Sequence, residues 1–273
     1  MCIINEPAEV HETELFVAPH SNGIDQITVY ANEVKTDSTN NMMLLPVPNP
    51  QTVQFIDLQN YQSIFEDLEE PFKRPSRSFG MDKFSLHNNE SRSLAVHDVG
   101  SYKATLVPTH ADLGRINVEV FGTVQGNIKD LLGKQYEDLP VPFGYIICKL
   151  RAGQAVKYHP FAYRHKMAVD KEGKKVLFVP TRHEHGHAKT MGVMNPIVPS
   201  SVNGIHDPNE ADWDHAIYSI NSDMKAGNRE QHSRAVNLKT DKIPKFDIGS
   251  IRTINKKVIK GYYPNNDLIF GLA

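Results

Sequence analysis

The chain has 273 residues, 40% of them hydrophobic and 23% charged, which excludes wholesale disorder and fits one large domain or two packed halves. A formal net charge of −2 excludes a global attraction to nucleic acid or to an anionic membrane. Apolar runs fall far short of the roughly 20 residues of a membrane helix, Met1 to Val10 carries Glu6 and Glu9 instead of a leader's apolar core, and Cys2 and Cys148 form no disulfide framework, so a soluble, cytoplasmic protein is expected.

In chain order, Val10 to Pro19 and Gln26 to Val34 alternate β-branched, aromatic and polar residues around Ser21-Asn22-Gly23, predicting a hairpin. Met42 to Val47 reads as a third strand and Val53 to Ile56 as a short fourth, with Pro46, Pro48 and Pro50 around the break. Leu58, Tyr61, Ile64, Phe65 and Leu68 recur at helical spacing, which predicts one amphipathic helix stopped by Pro71. The polar stretch Lys73 to Arg92 is the natural boundary, giving either one domain over 1–273 or packed halves 1–80 and 81–273.

A second hairpin is expected from Leu94–Val99 and Tyr102–Val107, then a short helix near Ala111 to Ile116. A longer helix from Asn127 to Tyr136 carries Ile128, Leu131, Leu132 and Tyr136 on one side. Phe143–Leu150, Ala155–Tyr163 and Lys175–Val179 read as a meander, and His215 to Ile220 as a later strand. The fold expected from these elements is α+β, mostly antiparallel sheets with two to four helices.

The histidines are unevenly placed. Seven of the thirteen lie between His159 and His215, and the sharpest run is Arg182-His183-Glu184-His185-Gly186-His187, directly after an apolar strand. In extended backbone, residues two apart project from one face, so His183 and His185 can chelate one ion. Asp214 or His215, side by side before a predicted strand, would supply the third ligand, with His159 and His165 as further ligands or orienting groups. Zinc or iron is the ion such a set would hold, and a hydrolase or oxygenase acting on a small-molecule substrate the chemistry it implies. The competing reading is a hydrogen-bonded histidine cluster with no ion, and no HExxH helix is present to decide between them.

Leu177-Phe178-Val179-Pro180-Thr181 followed by His183 and His185, then Ala211-Asp212-Trp213-Asp214-His215 before Tyr218, resemble the paired signatures of a widespread family of proteins of unknown function. Val99-Gly100-Ser101-Tyr102, Pro108-Thr109, Phe143-Gly144-Tyr145, His159-Pro160-Phe161 and Met43-Leu44-Leu45-Pro46-Val47-Pro48 are similar to the same pattern. The resemblance spans roughly residues 95 to 220. It implies a common fold and a shared site without naming a substrate.

Two further readings stand beside the metal site. Removal of Met1 would expose Cys2, whose amine, with a pKa of about 8, can act as base for its own thiol, as an N-terminal nucleophile hydrolase requires. Met1-Cys2-Ile3-Ile4 is similar to the opening of the NRDE transport and Golgi organisation family, although Asn32-Glu33 lacks that family's Arg-Asp. The alternative is that Cys2 begins a buried strand with Ile3 and Ile4. Met224 to Lys260 holds ten Lys or Arg against Glu230, Asp241 and Asp247, a local charge of +7. As a surface it would suit an acidic protein partner in a non-enzymatic interaction or structural protein, while Lys239, Lys242, Lys245, Arg252, Lys256, Lys257 and Lys260 could contact phosphates. Nucleic acid is the less expected partner for it.

Overall fold

The computed structural model describes residues 3–73, 94–99, 102–136, 140–153, 155–182, 184–185, 210–220, 222–223, 232–238, 243, 246–248 and 251–272. The chain runs through β1 (Ile3–Ile4), β2 (Glu9–Pro19), β3 (Asp25–Lys35), β4 (Met42–Pro48), β5 (Gln54–Ile56), α1 (Ile64–Glu69), β6 (Val96–Val99) and β7 (Tyr102–Val107). A 3-10 turn at His110–Arg115 leads to α2 (Val118–Phe121), α3 (Gly126–Tyr136), β8 (Phe143–Lys149), β9 (Val156–Lys157) and β10 (Phe161–Lys166). There follow β11 (Ala168–Val169), β12 (Lys175–Val179), β13 (Glu184–His185), β14 (Glu210–Ile220), β15 (Ser222–Asp223), β16 (His232–Asn237), β17 (Ile251–Pro264) and β18 (Leu268–Leu272).

With 50% of the described residues in strands and 16% helical, the architecture is closer to all-β, and the expected α+β class is corrected. Two local causes account for the difference. The apolar spacing from Leu58 to Leu68 yields a helix only over Ile64–Glu69, while Leu58 and Tyr61 are buried from turns. The lysine-rich stretch Met224 to Lys260, for which no strand is predicted, runs into β17, a strand of 14 residues. Its alternation is hidden from the sequence because a lysine, Lys257, occupies a buried position between buried Ile254 and Ile259.

The strands form sheets of six (β13-β1-β4-β8-β7-β6), eight (β16-β17-β14-β2-β3-β10-β5, with β9 on β3) and four (β11-β12-β18-β15). Most pairs are antiparallel; β1 with β13 and β2 with β14 are parallel. Strands from either side of the 80/81 boundary lie next to each other, since β4 pairs β8, β3 pairs β10 and β2 pairs β14. The predicted hairpin β2–β3 forms with a bulge between His11 and Glu14. The expected strand Ala155–Tyr163 is broken into β9 and the start of β10.

β4 shows how the layers stack. Every residue of Met42–Pro48 is buried: Met43 and Leu45 enter the core shared with Leu15, Val17 and Leu177 between the two large sheets. Met42 and Leu44 enter the opposite core with Phe121, Ile128 and Leu132 of α2 and α3. Such a two-faced strand reads as a continuous apolar run, not an alternation. Pro46 and Pro48 are tolerated because β1 reaches only Met43 and Leu44 on that side. A third core places Phe16, Ile27 and Val29 of the eight-stranded sheet against Ile64, Phe65 and Leu68 of α1.

Gln26 joins the eight-stranded and four-stranded sheets. Fully buried, it donates to Thr28 Oγ1 (2.8 Å) and to the Phe178 carbonyl (2.7 Å) and accepts from the Phe178 N–H (2.8 Å). The β12 backbone beyond the end of β11 is satisfied by a side chain where no strand is available.

Candidate functional site

Of the proposed metal ligands, His183 lies outside the described residues, as does the side chain of His185, whose backbone pairs with Ile4 at the edge of the six-stranded sheet. Asp214 and His215 are adjacent on β14 and therefore project from opposite faces. His215 is buried, its ring 5.0 Å from that of Trp213. Asp214 sits outside, 2.9 Å from Lys260 Nζ and accepting the Glu12 N–H at 3.4 Å. The two therefore do not act as interchangeable ligands beside one another. His165 is buried against Tyr163, and burial pushes its pKa down to about 4, so it is a neutral core group. Among the described residues, no three His, Cys, Asp or Glu side chains gather closely enough to hold an ion.

Cys2 lies outside the described residues, and Ile3 and Ile4 beside it form buried β1. In the basic segment the described lysines differ in their surroundings. Lys257 is 2% exposed. Lys256 pairs with Glu69 and lies over the rings of Phe72 and Tyr218, and Lys260 is engaged by Asp214. Lys239, Lys242 and Lys245, and the side chain of Arg252, lie outside the described residues.

A different site forms where the 3-10 turn, α3 and the start of β8 meet. There a cavity of about 310 Å³ is lined by His110, Leu132, Tyr136, Val141, Phe143 and Tyr145, among others. Its walls are aromatic. Tyr136 stacks on Phe143 at 5.1 Å, Tyr145 meets Tyr136 edge-on at 6.2 Å, and His110 meets Tyr145 edge-on at 6.4 Å. Phe143 in turn packs edge-on against Phe178 of β12 at 5.1 Å, so the wall is anchored to the four-stranded sheet.

Two glycines shape the cavity. Gly133 lies inside α3, where glycine is disfavoured by about 1 kcal/mol relative to alanine, and a Cβ there would stand 3.2 Å from His110 Nε2. Its bare backbone leaves room for the imidazole. At Gly144 a Cβ would stand 2.4 Å from the Val107 carbonyl oxygen and 2.6 Å from Pro50 Cβ. Only glycine lets β8 approach closely enough to bring Phe143 and Tyr145 into the wall.

The polar groups are held unequally. The Tyr136 hydroxyl donates to Asp267 at 2.5 Å, and Asp267 also accepts from the N–H groups of Thr181 (2.8 Å) and Arg182 (3.0 Å). Burial and the adjoining carboxylate push the Tyr136 phenol well above its usual range, which keeps it a proton donor to Asp267. Burial also raises the Asp267 carboxyl, against the pull of its three donors. In the 3-10 turn, hydrogen bonds from Arg115 and Thr109 hold the Asp112 carboxyl below the usual range and tie the turn together. His110 differs: its Nδ1 is enclosed and has no hydrogen-bond partner among the described residues.

The helix that supplies Leu132 and Tyr136 is legible in the sequence, but the cavity is not. Its one sequence signal is Gly133, a glycine inside an otherwise helical pattern.

The fold is thus a β-rich architecture of three sheets, with an aromatic cavity between α3 and β8. No family model matches the chain, and no curated protein does. Among solved structures, the crystal structure of baculovirus P35 is similar over 99% of each chain, with a TM-score of 0.50 and 10% sequence identity. At that identity the likeness concerns the fold alone.

Proposed function

We propose that the protein is a non-enzymatic binding protein whose ligand seat is the aromatic cavity between α3 and β8. One observation carries the reading: a preformed cavity of about 310 Å³, within the roughly 300–1,000 Å³ of small-molecule sites, places an imidazole among aromatic walls. The other ionisable pair nearby supports recognition over chemistry. Tyr136 and Asp267 hold one another and the end of β12, a positioning role that leaves neither group free for proton transfer.

The test is a screen of neutral one-ring and two-ring molecules against the ¹⁵N-labelled full chain. Binders should perturb the amides of Leu132, Gly133 and Tyr145 and be recovered chemically unchanged after prolonged incubation. Conversion of a bound molecule, or perturbations confined to other parts of the fold, would reject the proposal.

A further inference from the structure

The cavity also carries information about its ligand, an inference that rests on the binding reading above. We infer that it selects an uncharged aromatic ring bearing a hydroxyl group, a phenol-type ligand.

Three features point that way. The first is electrostatic: among the described residues that line the cavity there is no lysine, arginine, aspartate or glutamate. A carboxylate or phosphate brought inside would lose hydration without gaining a counter-charge, a cost that a neutral ring does not incur.

The second is the geometry of the walls. Tyr136 and Phe143 form a stacked pair with 22° between their planes, and Tyr145 stands at 72° to Tyr136. A third ring can therefore meet both a face and an edge, the offset-stacked and T-shaped contacts that aromatic pairs favour. A flexible aliphatic chain would fill the volume without using that geometry.

The third is His110. A neutral imidazole has one donor and one acceptor nitrogen, and a partner on one nitrogen fixes the role of the other. Because Nδ1 has no partner among the described residues, the tautomer is not locked from behind. Nε2, which lies beside the lining residue Gly133, is then able either to accept from or to donate to a ligand hydroxyl. That hydroxyl fixes the tautomer on binding and gives the cavity its selectivity. Phenol chemistry can come from a free small molecule or from a tyrosine side chain, and the experiment separates the two.

Binding to the full chain is measured by ¹⁵N NMR titration with p-cresol, its methyl ether 4-methylanisole, 4-hydroxybenzoate, cyclohexanol and N-acetyltyrosinamide. p-Cresol should perturb Leu132, Gly133 and Tyr145, and capping its hydroxyl should weaken binding by about tenfold, the value of one net hydrogen bond. His110→Phe should abolish that difference, so that p-cresol and 4-methylanisole bind alike. Gly133→Ala, which crowds Nε2, should weaken p-cresol with the rest of the spectrum intact. 4-Hydroxybenzoate should bind more weakly than p-cresol. N-acetyltyrosinamide binding as well as p-cresol assigns the source to a peptide side chain, and exclusion of it assigns a free small molecule.

Equal binding of p-cresol and 4-methylanisole, or preference for cyclohexanol or the benzoate at the same amides, would overturn the phenol assignment and leave the binding site standing. No perturbation of the cavity amides by any of the five would overturn both.

Discussion

Replacing Glu14 with glutamine should make the protein more stable, and only above acidic pH. Glu14 follows the bulge in β2, with Ala31 and Ala216 as cross-strand neighbours. Burial raises its pKa from 4.5 to about 7, with Lys157 opposing and Glu66, Glu12 and Glu69 reinforcing the rise. A carboxyl displaced over that range costs about 3 kcal/mol when ionised, and about 2 kcal/mol once its partial exposure is allowed for. The folded state binds this proton more tightly than the unfolded chain does. The contribution is therefore fully present below pH 4.5 and is lost as pH rises to about 7. His165 works the other way: with its pKa lowered from 6.5 to about 4, the unfolded chain takes up its proton first, so stability rises with pH across that window. In the overlap the two slopes oppose each other. Glu14→Gln removes one of them, so the variant's stability should climb steeply through the overlap and exceed the parent's by about 2 kcal/mol above pH 7. Urea unfolding of both proteins across this range measures the difference directly. Parallel pH curves for parent and variant would refute the reasoning.

Three further outcomes follow from individual contacts. Gln26→Leu strands the buried N–H and carbonyl of Phe178 and should cost about 2–4 kcal/mol in chemical denaturation. Gly144→Ala forces a Cβ against backbone and Pro50; a loss of about 3 kcal/mol or more is expected in unfolding experiments, together with loss of ligand perturbations at Tyr145. Lys256→Glu sets a second carboxylate against Glu69 under the rings of Phe72 and Tyr218 and should destabilise by about 3 kcal/mol. The swap Glu69→Lys with Lys256→Glu should recover part of it in a double-mutant cycle.

What the sequence determines by itself is local. The alternation through β2 and β3, the glycine turn between them, the apolar run of β4 and the one-sided helix α3 can be read because side-chain period and turn chemistry are properties of neighbouring residues. The all-β character is not visible in the same way. Leu58 and Tyr61 have helical spacing yet reach the core from turns, and β17 carries lysines whose fate depends on Glu69, Asp214 and the rings over them. The site divides likewise. Asp214 and His215 are neighbours in sequence but separate to opposite faces because a strand alternates. His110, Tyr136 and Phe143 are spread along the chain, and β8 brings them together only because Gly144 permits its close approach to Val107 and Pro50. Cavities form between elements, so their walls are chosen by packing of distant segments, which no local pattern encodes.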